Sequence, residues 1–299
     1  MTDSPRGIWL ALVTVACWSV LPITLKIASR HLDPYTLTWY RFTVSAIALG
    51  GFLAARRGLP PWPTLARLGA ATLVVIALLG LVANYVLYLV SLSYVSPTVA
   101  HVVTQLGPLL LMFGGIWLFH ERLSRRQWIG VVLLIAGLLL FFNRRLADVL
   151  TVSGRAGVGM MILLAASVTW AAYGLAQKTL LHRFTSPQTL LVIYIGSALV
   201  LLGFTHPTEV RALSALEWTM LGLSCANTLV AYGALAESLK HAGAARVGAV
   251  LAVVPLVTLV VTWATNHLSP GFFEPDTLNV ATVAGAVVVT VGSALSASR

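Results

Sequence analysis

Arg41 is the seventh residue of an otherwise apolar run from Tyr35 to Ala55. An arginine near the centre of a membrane helix costs about 2.5 to 3.5 kcal/mol on insertion scales, so it must find a partner or face water. It anchors the carboxylate of a solute, pairs with backbone carbonyls, or snorkels to the interface; the residue type alone allows each. On the next apolar run Asn84 and Tyr88 are four apart and share one helical face, with Tyr85 beside them. On the run after that, His101, Gln105 and Pro108 follow at steps of four and three, with Thr98 one turn earlier. These two polar stripes can line one wet cavity or hydrogen-bond between helices. Trp18 and Trp170 stand near the middle of their runs, away from the interface where tryptophan concentrates. With Tyr40 and Tyr173 they supply ring surface, and offset or edge-to-face rings add roughly 0.5 to 1.5 kcal/mol per pair. Such walls favour a ring-bearing solute; an aromatic core without ligand is the alternative.

The groups that catalysis would need do not occur in the right pattern. There is no HExxH, no GxSxG and no pair of intramembrane carboxylates. Asp3, Asp33, Glu121, Asp148, Glu209, Glu217, Glu274 and Asp276 fall in connections or at helix ends, and Glu237 lies near a helix end close to Lys240. Cys17 and Cys225 sit inside apolar runs without metal-ligand spacing. The expectation is therefore a protein that is not an enzyme and uses no cofactor or metal. A midplane carboxylate, which proton-driven cation exchange usually needs, is also missing, and His101 reads as a neutral hydrogen-bonding residue.

Composition says what must position these residues. Of 299 residues 58% are apolar and 9% charged, against roughly 25% charged in a soluble domain. A crossing takes about 20 apolar helical residues, so the chain holds about ten and almost nothing else. Cuts at charge, Pro and Gly clusters give runs near 7–28, 35–55, 68–92, 97–119, 128–142, 157–181, 188–204, 218–238, 244–267 and 277–297. The long stretch 68–119 divides at Ser96 and Pro97, because the residue before proline is pushed out of the helical region. With the N-terminus inside, twelve Lys and Arg fall in cytoplasmic segments and six outside. That bias sets both termini in the cytoplasm, although Arg144, Arg145 and Arg155 violate it. The net charge of +10 then reflects loops beside anionic lipid, not nucleic acid.

The two halves echo each other. Trp18 precedes Lys26 by eight residues, as Trp170 precedes Lys178; Ala83 and Asn84 return as Ala226 and Asn227, and Pro108 as Pro255. A duplicated five-span unit, 1–148 and 149–299, must enter the membrane upside down in its second copy, because five is odd. The fold class expected is an all-α membrane protein of ten transmembrane helices in two inverted five-helix repeats. That is the architecture of alternating-access transporters, with solute bound at the midplane between halves. Pro22, Pro108 and Pro255 each remove a backbone hydrogen bond and permit a bend, which suits gating.

The segment PYTLTWYRF, with Pro34 seven residues before Arg41, the run LGPLLLMFGGIWLFHERLS, and the ten-span duplication resemble the drug/metabolite transporter superfamily, specifically its EamA-type exporters. The stretch TWAAY, Thr169 to Tyr173, is similar to the bacterial aromatic amino acid exporters among them. The second half departs from the family pattern, carrying Asn266 and His267 before Leu268 and Ser269 where Gly-Glu is expected. The resemblance implies an inner-membrane exporter of amino acids or related metabolites, acting as a monomer or weak homo-oligomer in lipid. Its substrate contacts would include Trp18, Tyr40, Arg41, Asn84, Tyr88, His101, Gln105, Trp170, Tyr173 and Asn227. A proton-coupled exporter of drugs or toxic cations is the alternative within this fold, and an intramembrane enzyme a more distant one.

Overall fold

The computed structural model describes residues 5–61, 63, 68–119, 124–143, 154–251, 253–273 and 279–297. Among them no strand occurs, and eleven α-helices are described. The first half gives α1 (Pro5–Ala28), α2 (Pro34–Ala55), α3 (Leu68–Ser91), α4 (Pro97–Thr104), α5 (Leu106–Phe119) and α6 (Arg125–Phe141). The second half gives α7 (Gly154–Leu180), α8 (Ser186–Leu201), α9 (Ala215–Leu251), α10 (Val254–Leu268) and α11 (Val280–Ala297).

Local chemistry starts these helices where the sequence says it should. Asp33 caps α2, its carboxylate accepting from the N–H groups of Tyr35 and Thr36, and Pro34 takes the first helical position. Ser96 caps α4 ahead of Pro97, which makes the expected break. Ser124 with Gln127 and Thr185 with Gln188 form reciprocal capping boxes on α6 and α8. The fourth run is divided once more, at Gln105, three residues before Pro108; the helix before Pro255 likewise ends at Leu251. One boundary differs from the sequence reading. A span was expected to end at Ser238 and another to start at Ala244, but α9 runs on unbroken for 37 residues. Nothing between them stops a helix, since the five residues Leu239 to Gly243 hold no proline and their one glycine costs only about 1 kcal/mol.

The helices pack as an inverted repeat demands. α1 packs on α9 and α3 on α7, which are equivalent pairs; α2 on α8, α4 on α10 and α6 on α11 pair equivalent helices across the halves. α6 and α11 meet at backbone distance. A Cβ on Gly137 would lie 2.6 Å from the Val289 nitrogen, and one on Gly285 2.3 Å from that of Phe141. Such contact is open only to glycine and is a common seam between membrane helices.

Cross-chain bonds join segments that ten alternating crossings put on one face. Asn143 bonds Asn279, Arg155 donates to the Ser93 carbonyl, and Lys26 donates to the Phe272 carbonyl while lying over the Phe272 and Phe273 rings. Gln188 donates to the Gly58 and Leu59 carbonyls on the other face. Among the described residues five stretches, 5–28, 69–91, 97–118, 154–180 and 186–204, are long and apolar enough to cross a bilayer. Large apolar side chains cover the outside, Ile47 at 71% and Trp117 at 79% exposure among them, an arrangement lipid satisfies and water does not.

Candidate functional site

Arg41 on α2 is only 4% exposed. Its Nε donates to the Thr228 hydroxyl of α9 at 3.1 Å, and its Cζ lies 4.5 Å over the Tyr85 ring of α3. Among the described residues it has no carboxylate partner. Among the described residues its terminal nitrogens have no hydrogen bond, and they are not fully buried. One edge of the guanidinium is thus held by protein and the other is available to an anion. Around it the rings continue: Tyr85 lies 4.7 Å from Phe42, and Phe42 stacks on Tyr194 at 5.7 Å. Tyr194 follows Pro187 by seven residues, as Arg41 follows Pro34, so the two are counterparts on the paired helices α2 and α8.

A second polar contact joins α3 and α4. The His101 imidazole of α4 has its Nε2 3.1 Å from the Tyr88 hydroxyl of α3, and the two rings lie 5.7 Å apart. A neutral imidazole can donate at one nitrogen and accept at the other, so this pair needs no charge. Pro22 has no N–H, which leaves the carbonyl four residues earlier in α1, that of Trp18, without its helical donor.

Asn84 donates to the Ala166 carbonyl of α7 at 2.9 Å, and its repeat counterpart Asn227 donates to the Cys17 carbonyl of α1 at 2.6 Å. Each amide therefore ties its half to the other. Gln105 accepts from Ser293 of α11 at 2.8 Å at the break between α4 and α5. Trp18 meets Tyr232 edge to face at 5.9 Å, while Trp170 covers Gly107 and packs with Tyr232 on the cluster that holds buried Tyr173. No ring contact joins Trp18 to Trp170 among the described residues; Tyr232 lies against the surroundings of both. Tyr40 stands apart, its hydroxyl on the Pro207 carbonyl at 2.9 Å. Pro22 and Pro255 are buried, Pro108 is the third residue of α5, and Glu121 falls outside the described residues.

Sequence reasoning missed Thr228, Tyr194, Tyr232 and Ser293. Thr228 had a signal, since it directly follows the repeated Ala-Asn pair, as Tyr85 does in the first half. At the face carrying the loop before α9, Asp33, His206 and Glu209 bring metal-ligand atoms within 4.8 Å of one another. Asp33 is already engaged as the α2 cap there, and acidic surface clusters commonly hold no ion. Its hydrogen bonds to Thr36 and Tyr35 and the nearby His206 outweigh burial and hold its carboxyl below the usual range.

Comparison with known proteins agrees with this layout. The EamA-like transporter family matches residues 5–143 and again 157–298, one match per half. The chain is 36% identical over 291 residues to an uncharacterized inner membrane transporter, YhbE, of Escherichia coli, covering 97% of this chain and 91% of that one. It is 34% identical to an uncharacterized transporter of Haemophilus influenzae, covering 97% and 94%. It is 25% identical to a probable amino-acid metabolite efflux pump of Salmonella typhimurium, covering 95% and 92%. A crystal structure at 19% identity shares the fold with a TM-score of 0.64, covering 99% of this chain and 98% of that one. Two family matches that divide the chain where its repeat divides, on helices that pair as inverted copies, place it among the membrane transporters: it belongs to the EamA-like transporter family of the drug/metabolite transporter superfamily.

Proposed function

We propose that this transporter exports amino acids, aromatic and other small neutral ones, or related metabolites, by alternating access through a path between its halves, 1–148 and 149–299. The observation that carries the reading is Arg41: a buried guanidinium with no carboxylate of its own among the described residues and a free edge is built for a solute carboxylate. An unpaired zwitterion would face tens of kcal/mol on entering hydrocarbon, so its water shell must be replaced group by group. Arg41 takes the carboxylate, and Asn84, Tyr88, His101, Gln105 and Asn227 keep the path polar. Trp18, Trp170 and Tyr173 give aromatic walls, and Tyr40 closes the outer end. Pro22, Pro108 and Pro255 supply the bends. The relative named as a probable amino-acid metabolite efflux pump supports the substrate class. In this reading the chain is a carrier and no enzyme, sits in the inner membrane with both termini cytoplasmic, and works as a monomer or weak homo-oligomer.

The test is flux of labelled amino acids in proteoliposomes, with and without an imposed pH gradient. Flux above empty vesicles is expected, with near-complete loss in Arg41→Gln. Equal flux in the variant would remove Arg41 from the substrate site.

A further inference from the structure

We infer that Thr228 is the positioning residue that decides how Arg41 takes an anion, and so makes the carrier select carboxylates over their neutral amides. The inference rests on the reading of Arg41 just given.

A guanidinium offers a carboxylate two bidentate edges, one formed by Nε with a terminal nitrogen and one formed by the two terminal nitrogens. Here the first is occupied. Thr228 is 1% exposed, and its hydroxyl proton is committed to the Ser224 carbonyl one turn earlier in α9, at 3.0 Å. A hydroxyl has one proton, so toward Arg41 the Thr228 oxygen can only accept, and it accepts from Nε at 3.1 Å. The Tyr85 ring fixes the plane of the group from a third helix. What remains is the end-on pair of terminal nitrogens, which have no partner among the described residues and are not fully buried. A carboxylate matches that pair with two parallel hydrogen bonds. A carboxamide presents one acceptor and one donor, and its donor would face an N–H.

Thr228→Val keeps the shape and removes the oxygen. Nε is then buried without an acceptor, the side-on edge opens, and the guanidinium is free to turn. Thr228→Ser restores the oxygen. Thr228→Ala removes it without adding bulk, which guards against a packing defect peculiar to valine.

The experiment measures inhibition of labelled phenylalanine flux in proteoliposomes by unlabelled phenylalanine and by unlabelled phenylalaninamide. The readout is the ratio of their half-inhibiting concentrations. A defect in folding or insertion lowers total flux and leaves this ratio alone. The wild type and Thr228→Ser should favour the carboxylate strongly, and the ratio should fall about tenfold or more in Thr228→Val and Thr228→Ala. An unchanged ratio in both, in a wild type that discriminates, overturns the role of Thr228 and leaves Arg41 as the anchor. A wild type that does not discriminate, or carries no phenylalanine, overturns the Arg41 reading and this inference with it.

Discussion

Tyr85 and Thr228 hold the same place in the two halves, each directly after an Ala-Asn pair, and both touch Arg41. One offers the face of a ring and the other a hydroxyl oxygen. The repeat supplies the framework symmetrically, while the side chains at its equivalent positions have diverged into a single asymmetric cluster around Arg41. Arg41 and its counterpart Tyr194 show the same divergence on α2 and α8.

The crossed amides should be energetically alike because the repeat makes them alike. Asn84→Leu and Asn227→Leu each remove one hydrogen bond to a carbonyl of the other half. Each should destabilise by about 0.6 kcal/mol, the average for interhelical bonds in membranes, and by no more than about 1.7. Thermal unfolding in detergent reads this directly, and a loss in only one variant would show that the two bonds are not equivalent.

His101 and Tyr88 should be coupled. His101→Phe leaves the Tyr88 hydroxyl without its partner and should cost on the order of 1 kcal/mol. Tyr88→Phe removes the other member of the same pair, so the double variant should be little worse than either single one. Thermal unfolding in detergent reads this, and additive losses in the double variant would mean that the two groups do not bond.

The tryptophans should set selectivity. Trp170→Leu and Trp18→Leu keep apolar walls but lose stacking worth about 1 kcal/mol each. Flux of phenylalanine or tryptophan should fall several-fold more than flux of threonine or alanine. Equal losses across the four would assign both rings to packing alone.

Glu217 is buried at the start of α9, where the Ser214 N–H and hydroxyl, followed by His31, hold its carboxyl down to about 2. Its folded value lies below the ordinary 4.5, so its contribution is present above that value and is lost as pH falls from there toward about 2. The Tm difference between wild type and Glu217→Gln should be open at neutral pH and close across that acid window. A difference that persists unchanged at pH 3 would mean that the ionised carboxylate is not its source.

Orientation is checked with single cysteines in a variant lacking Cys17 and Cys225. A cysteine at Arg56 should react with an impermeant reagent only from the cytoplasm, and one at Thr208 only from outside. Reaction of both from one face is incompatible with ten alternating crossings.

Much of this was legible beforehand because membrane helices advertise themselves by length and apolarity, and Asp33, Ser96 and Pro97 mark helix starts whatever surrounds them. The repeat could be read from Trp18, Asn84 and Pro108 against Trp170, Asn227 and Pro255. The partners of these residues could not. Thr228 and Ser293 are ordinary small polar residues in apolar helices, and only packing of α9 and α11 against the first half shows what they bond. Tyr40 could be placed on a helix but not aimed, since its acceptor, the Pro207 carbonyl, lies in a loop 167 residues away. The missing stop between Ser238 and Ala244 reflects a local rule the sequence reading overrode, that one glycine without a proline does not end a helix.

The cross-pairing of the helices also bears on how the protein is made. α1, α3 and α6 find their tightest neighbours in α9, α7 and α11, all of which leave the ribosome later. The first half must therefore wait in the bilayer with its glycine seam and its arginine uncovered until the second half is threaded in the opposite sense. Truncation after the first five spans should leave a nascent chain that quality-control proteases clear, and pulse labelling should show it rescued when the missing half is supplied as a separate polypeptide.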